Sequence, residues 1–95
     1  MIIELPSMVA GRALADALVD RLEGDLAGAV VVLDCRHLVT GSPSFAGRVV
    51  ARVLGGGAAE LRVEAAPPAF LDDLRAAAER LGAADRLSVR AAAAA

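Results

Sequence analysis

The 95 residues predict an α/β fold: one small domain of about four strands in a mixed or mostly parallel sheet, with three helices, in the order βαβαβαβ. Three observations carry this expectation. Residues 29–33, Ala-Val-Val-Val-Leu, form an unbroken run rich in β-branched side chains, which suits a strand buried on both faces. Residues 60–64 and 86–90 alternate apolar and polar, the period of a half-exposed strand. Three further segments repeat their apolar residues at helical spacing.

Taken in order, residues 2–5 read as a short strand stopped by Pro6, with Ser7 completing a turn. A helix is expected over 8–22. Leu14, Leu18 and Leu22 form its apolar stripe with Val19 beside it, and Arg12, Asp16, Asp20 and Glu23 take the wet side. Arg12 and Asp16 stand four apart and are expected to pair, whereas Asp16 and Asp20 repel. Gly24 stops the helix. After the strand at 29–33, Asp34 opens a loop or frayed strand end over 35–41. Ser42-Pro43 is a strong helix start, because serine caps the first turn and proline is preformed for it. The helix over 44–54 is nearly all apolar apart from Arg48 and Arg52, and Gly55, Gly56 and Gly57 end it. Pro67-Pro68 opens a last helix over 69–81, with Leu71, Leu74, Ala78 and Leu81 inward and Asp72, Asp73, Arg75, Glu79 and Arg80 outward. The domain is expected to span 1–90, with an Ala-rich tail at 91–95.

Composition removes several function classes. Tryptophan and tyrosine are absent, so there is no aromatic platform for stacking bases or sugars. Twelve acids against ten bases, all arginine, give a net charge of −2, and the pI of 5.2 argues against a nucleic-acid partner. Lysine is absent and no G-x-x-x-x-G-K-[ST] motif occurs, so a P-loop is excluded. The lone Cys35 allows no internal disulfide and no Cys-based zinc site, and no cofactor or metal is expected. The N-terminal stretch has no basic n-region and soon turns charged, so no signal peptide is expected. No apolar run is long enough to cross a membrane. A cytoplasmic, reducing location follows as the expectation.

A catalytic centre would have to use the only histidine, His37, with Asp34, Cys35, Ser42 or Ser44 nearby in one loop. Triads are defined by geometry in space, and here only closeness along the chain speaks for one, so a non-catalytic protein is expected. Asp72 and Asp73 are adjacent on a helix and diverge into a solvated face.

The stretch 30–46 carries more. Its strand ends in Leu33-Asp34, a short loop follows, and Ser44-Phe45-Ala46 turns into a helix. This pattern resembles STAS domains, the fold of anti-sigma-factor antagonists, and is closest to a STAS-like family of unassigned function. Gly11-Arg12 near the start of the first helix fits the same pattern, as does residues 81–87 before the last strand; the resemblance covers about residues 9 to 90. It implies a non-catalytic regulatory module that binds a protein, with Ser44 at the position of a phosphorylatable serine and a GHKL-type ATPase or kinase as partner. The implied docking surface is Thr40, Gly41, Ser42, Pro43 and Ser44 with Arg48 and Arg52 on the following helix. Ser42 stands where the family has an acidic residue, Pro43 where it has its first serine, and Phe45 where it has glycine.

Two alternatives stay open at this point. Ser42 and Ser44 would serve only to start the helix, with Phe45 anchoring the core. The chain would then act as a structural or assembly module, forming homo- or hetero-oligomers through its Ala- and Val-rich helices.

Overall fold

Every strand of the main sheet runs parallel, and the strands stand side by side in the order in which they leave the chain. The structure is a computed structural model describing residues 1–90; the expected Ala-rich tail at 91–95 lies outside the described residues. The elements are β1 (Ile2–Glu4), β2 (Met8–Val9), α1 (Arg12–Asp20), β3 (Val30–Asp34), β4 (Thr40–Gly41), α2 (Pro43–Leu54), β5 (Glu60–Glu64), α3 (Pro68–Arg80) and β6 (Leu87–Arg90), the last entered through a 3-10 turn at Ala84–Arg86. β1, β3, β5 and β6 form the sheet in that order, and β2 and β4 form a separate two-stranded parallel ribbon. The α/β class and the βαβαβαβ order are those read from the sequence.

This order has a geometric consequence. Parallel crossovers take one hand, so a strand order that always advances the same way places all three helices on one face. The side-chain pattern agrees. Two rows cross the helix side of the sheet, Ile3–Leu33–Val63–Val89 and Val31–Leu61–Leu87. Ile3, Val31, Leu33, Leu61 and Val63 in these rows are buried. The opposite face carries Ile2–Val32–Arg62–Ser88 and Glu4–Asp34–Glu64–Arg90. The run at 29–33 was expected to be buried on both faces; instead Val30 is 39% exposed while Val31 and Leu33 are fully buried. A continuous apolar run does not by itself say how many faces are covered, and among the described residues no helix is left over for the second one.

The first helix is shorter than its periodicity suggests. Met8 and Val9 pair with Thr40 and Gly41, and α1 starts only after Gly11, whose positive φ of 83° turns the chain between strand and helix. Ala15 and Val19 form its buried centre, and Leu14, Leu18 and Leu22 pack at the border of the core. In α3 the inward residues are Phe70, Leu74, Ala77 and Ala78. Leu81, expected inside, follows the last helical residue and is 44% exposed. The helix begins at Pro68, which sets the i, i+4, i+7, i+8 stripe on Phe70.

α2 is the central helix of the layer, packed between α1 and α3. Phe45, Ala46, Val49, Val50, Val53 and Leu54 are all buried. The apolar residues on which the assembly reading rests are therefore used within the domain. No described helix is long and apolar enough to cross a membrane.

Two contacts fix how the layer sits. A Cβ on Gly41 would come within 2.5 Å of the Phe70 ring, so β4 can approach α3 only through glycine. Phe70 in turn packs against Phe45, ring centroids 6.2 Å apart. At the other end, the Arg86 guanidinium donates to the carbonyls of Ala58 (2.6 Å) and Leu54 (3.2 Å), placing a cation at the C-terminus of α2 where the last carbonyls lack helical partners.

Both contacts set measurable costs. Gly41→Ala drives a methyl into a buried ring and lowers unfolding stability by about 1–3 kcal/mol. Arg86→Met leaves two partly buried carbonyls without their charged donor and costs about 1–2 kcal/mol. Urea denaturation followed by circular dichroism measures each; a loss below 0.5 kcal/mol, on the order of an ordinary surface change, would refute the assignment.

Candidate functional site

The β2–β4 ribbon runs straight into the two helices. Because β2 and β4 are parallel, α1 and α2 begin side by side at the same end of the molecule. One oxygen joins them. Ser42 Oγ accepts from the Phe45 amide (3.1 Å), capping α2 as expected, and also accepts from the Gly11 amide (3.1 Å) at the start of α1. It lies 3.1 Å from Ser44 Oγ. A hydroxyl has two lone pairs and one hydrogen. With both lone pairs taken by amides, the remaining contact must use the hydrogen, so Ser42 donates and Ser44 accepts. The hydrogen of Ser44 is then free to face solvent.

Ser44 is exposed, one residue after Pro43 at the head of the helix. The N-terminus of α2 has little else to offer an anion. Pro43 has no N–H, Phe45 donates to Ser42 Oγ, and Ala46 donates to the Ser42 carbonyl. The amide of Ser44 is the first-turn donor these bonds leave over.

The other predicted docking residues divide into two groups. Thr40 and Pro43 are exposed beside Ser44. Gly41 and Ser42 are half-buried and make the internal contacts just described. Arg48 and Arg52 point back at α1 and form a ladder. Arg48 donates to Asp16 through Nε (2.7 Å) and Nη2 (3.2 Å), and Arg52 bridges Asp16 (2.8 Å) and Asp20 (2.6 Å). The pair expected within α1, Arg12 with Asp16, does not form, because Asp16 turns to the two guanidinium forks of α2. The same forks separate the charges of Asp16 and Asp20 that would otherwise repel.

Arg12 is left over, and it lines the same groove as Arg80 of α3. Arg12, Arg48 and Arg80 surround a groove of about 420 Å³ whose rim includes Ser44 and whose floor is Gly47 and Ala51. Among the described residues neither Arg12 nor Arg80 is in an ion pair, and no carboxylate lines the groove. On the ribbon side, Met8 of β2, paired with Thr40, is 65% exposed, and Val39, the residue just before β4, is 76% exposed. Val39 donates its amide to the Ser7 carbonyl (2.8 Å), so the apolar pair is held on a hydrogen-bonded frame. Sequence reasoning missed Met8, Val39, Arg12 and Arg80. The ribbon that brings the first two together is only two residues per strand, and the two arginines come from different helices, so no local pattern announces either pair.

The residues of a hypothetical catalytic centre are occupied or apart. Asp34, 8% exposed, accepts from Nε of Arg36 with both oxygens (3.0 Å each) and from the Arg36 amide (3.1 Å). These bonds, the guanidinium first, hold its carboxyl below its usual range. Cys35 is buried, and loss of water, reinforced by the Asp34 charge, pushes its thiol up to about 12, too high to act as a thiolate at neutral pH. His37 is exposed and takes part in none of the hydrogen bonds of Asp34, Ser42 or Ser44. Among the described residues no group of three or more His, Cys, Asp or Glu side chains could hold a metal ion. Comparison with protein-family models, with curated proteins and with solved structures finds no match to this chain.

The shared cap separates the two serines by experiment. Ser42→Ala orphans two amides and costs about 1–2 kcal/mol in urea denaturation, whereas Ser44→Ala changes stability by less than about 0.5 kcal/mol. Equal effects would contradict the three-way role of Ser42.

The ion pairs set a pH dependence. Asp16, bonded to Arg48 and then Arg52, and Asp34 are both held below the ordinary carboxylate range in the folded protein. A carboxylate depressed on folding contributes stability above its unfolded pKa, ~4, and loses it as the pH falls through the folded value. Stability therefore drops on acidification below ~pH 4, and Asp34→Asn flattens that drop. Urea midpoints at a series of pH values test this; an identical acid dependence in the variant would remove Asp34 from the account.

Proposed function

We propose that this domain is a STAS-like regulatory module that binds a partner protein through the end of the molecule where the β2–β4 ribbon meets the starts of α1 and α2. The observation that supports the reading is two exposed large apolar residues at this end, Met8 on β2 opposite Thr40 and Val39 just before β4, with Thr40, Pro43 and Ser44 exposed along the same turn. Exposed large apolar side chains on a hydrogen-bonded frame, next to polar groups, fit the anchors and rim of a protein interface. Arg48 and Arg52 would hold α2 against α1 behind that surface, with Arg48 also reaching its edge.

The partner proposed is a GHKL-type ATPase or kinase, with Ser44 as its phospho-acceptor. Ser44 Oγ is exposed and accepts a hydrogen bond from Ser42, which would stabilise negative charge building on that oxygen during attack on a phosphoryl group. A phosphate placed there would bring charge of about −2 to the middle of the docking surface and switch its affinity. The module itself is proposed to be non-catalytic and cytoplasmic.

Two measurements test this. Capture from a lysate of the native host with immobilised protein should retain an ATPase of that type. The double variant Met8→Ser with Val39→Ser should bind it about a hundredfold more weakly, since each anchor is worth about 1.5 kcal/mol or more. Intact-mass analysis of protein from the same host should show one phosphate that Ser44→Ala lacks. Retention of the same proteins by the double variant would sink the docking surface, and an unmodified mass under all growth conditions would sink the switch.

A further inference from the structure

We infer that the groove over the outer face of α2, flanked by Arg12 of α1 and Arg80 of α3, receives an acidic segment of the partner, a short stretch carrying Asp or Glu side chains. This deepens the protein-binding reading and rests on it, because it names the chemistry of what docks beside the turn.

The chain as a whole carries more acids than bases. The groove runs against that balance: Arg12, Arg48 and Arg80 line it and no carboxylate does. Arg48 is partly answered by Asp16, but Arg12 and Arg80 stand in no ion pair among the described residues. Guanidinium groups on opposite walls can each present a fork of N–H donors to a carboxylate, the geometry that suits arginine to this task.

The floor explains why a chain segment fits rather than a lone ion. Gly47 and Ala51 keep the outer face of α2 low, so a backbone can lie close to the helix. Gly47 costs the helix about 1 kcal/mol relative to alanine, and a Cβ there would meet only Arg80, at 3.9 Å. The groove then continues past Arg80 into a second depression of about 210 Å³ that Gly47, Ala51 and Leu81 also line. Leu81 is 44% exposed and gives this far end an apolar wall. Ser44 and Ala51 are seven residues apart on one helix, about 10 Å, the span of three extended residues. A segment with acidic residues at the Ser44 end and an apolar residue at the Leu81 end matches both halves.

The probe is a fluorescein-labelled decapeptide with a Glu-Glu-Leu core, compared with its Gln-Gln-Leu counterpart, added to ¹⁵N-labelled protein. The acidic peptide should move the amide signals of Gly47, Ala51 and Leu81 and bind at least about tenfold more tightly than the glutamine peptide. Arg12→Gln combined with Arg80→Gln should weaken it about tenfold or more and Arg80→Gln alone about threefold or more, whereas Arg75→Gln, the same single charge change as Arg80→Gln but on the exposed side of α3, should weaken it less than twofold. The inference is overturned if Arg75→Gln acts as strongly as the groove variant, or if the glutamine peptide binds equally. It is also overturned if millimolar inorganic phosphate alone reproduces the shifts and displaces the peptide, which would mark a small-anion site. Peptide binding that persists in the Met8→Ser, Val39→Ser protein while partner capture fails in the unmodified protein would leave the groove standing and discard the turn. The reverse pattern would discard the groove alone.

Discussion

The hydroxyl of Ser42 is the point on which this end of the molecule turns. It holds the amide of Gly11 and the amide of Phe45 at once, so the starts of α1 and α2 share a single cap. Ordinary capping satisfies one helix; here the parallel β2–β4 ribbon delivers both helices to the same place, and one small side chain serves both. The remaining hydrogen goes to Ser44. That leaves the two neighbouring serines chemically unlike: one is saturated by the fold, the other presents a free oxygen face to solvent.

The arginines show a similar division of labour. Arg52 and much of Arg48 answer the carboxylates of α1 and fasten the helix layer, and Arg86 fastens the far end of α2. Surface ion pairs contribute little individually, but a fork that bridges two carboxylates on another helix also sets the crossing of the two helices. Arg12 and Arg80, like Arg21, Arg75 and Arg90, are in no ion pair among the described residues, and they are the two of these that line the groove. The groove between them is a property of the assembled layer.

Much of the architecture was legible from the sequence, because it rests on local rules. Residues 60–64 alternate and form β5 with those bounds, and Ser42-Pro43 starts a helix because capping is a matter of three or four neighbouring residues. What local rules could not supply were features that depend on a distant partner. Met8 and Val9 join a strand only because Thr40 and Gly41 lie alongside. Asp16 abandons Arg12 because two better donors arrive from α2. Gly41 looked like part of a docking turn, and the reason for a glycine there, the ring of Phe70, lies in another helix. The candidate site divides the same way: Ser44 and its turn could be found in one segment, whereas topology sets Met8 opposite Thr40 and Arg12 and Arg80 on one groove.

The uncovered face of the sheet has a consequence of its own. Parallel sheets are ordinarily sheathed on both sides, and a bare, regular strand surface invites another sheet to stack on it. This one is studded with Glu4, Asp34, Glu60, Glu64, Arg62 and Arg90, among which Ile2 and Val30 are exposed and Val32 is half-buried. With Arg36 paired to Asp34, three guanidinium groups stand against four carboxylates, so charges of both signs rather than an apolar strip meet any sheet that approaches this face. The charges on this side thus guard the sheet against stacking, and one of them, Asp34, also holds the loop after β3 through Arg36.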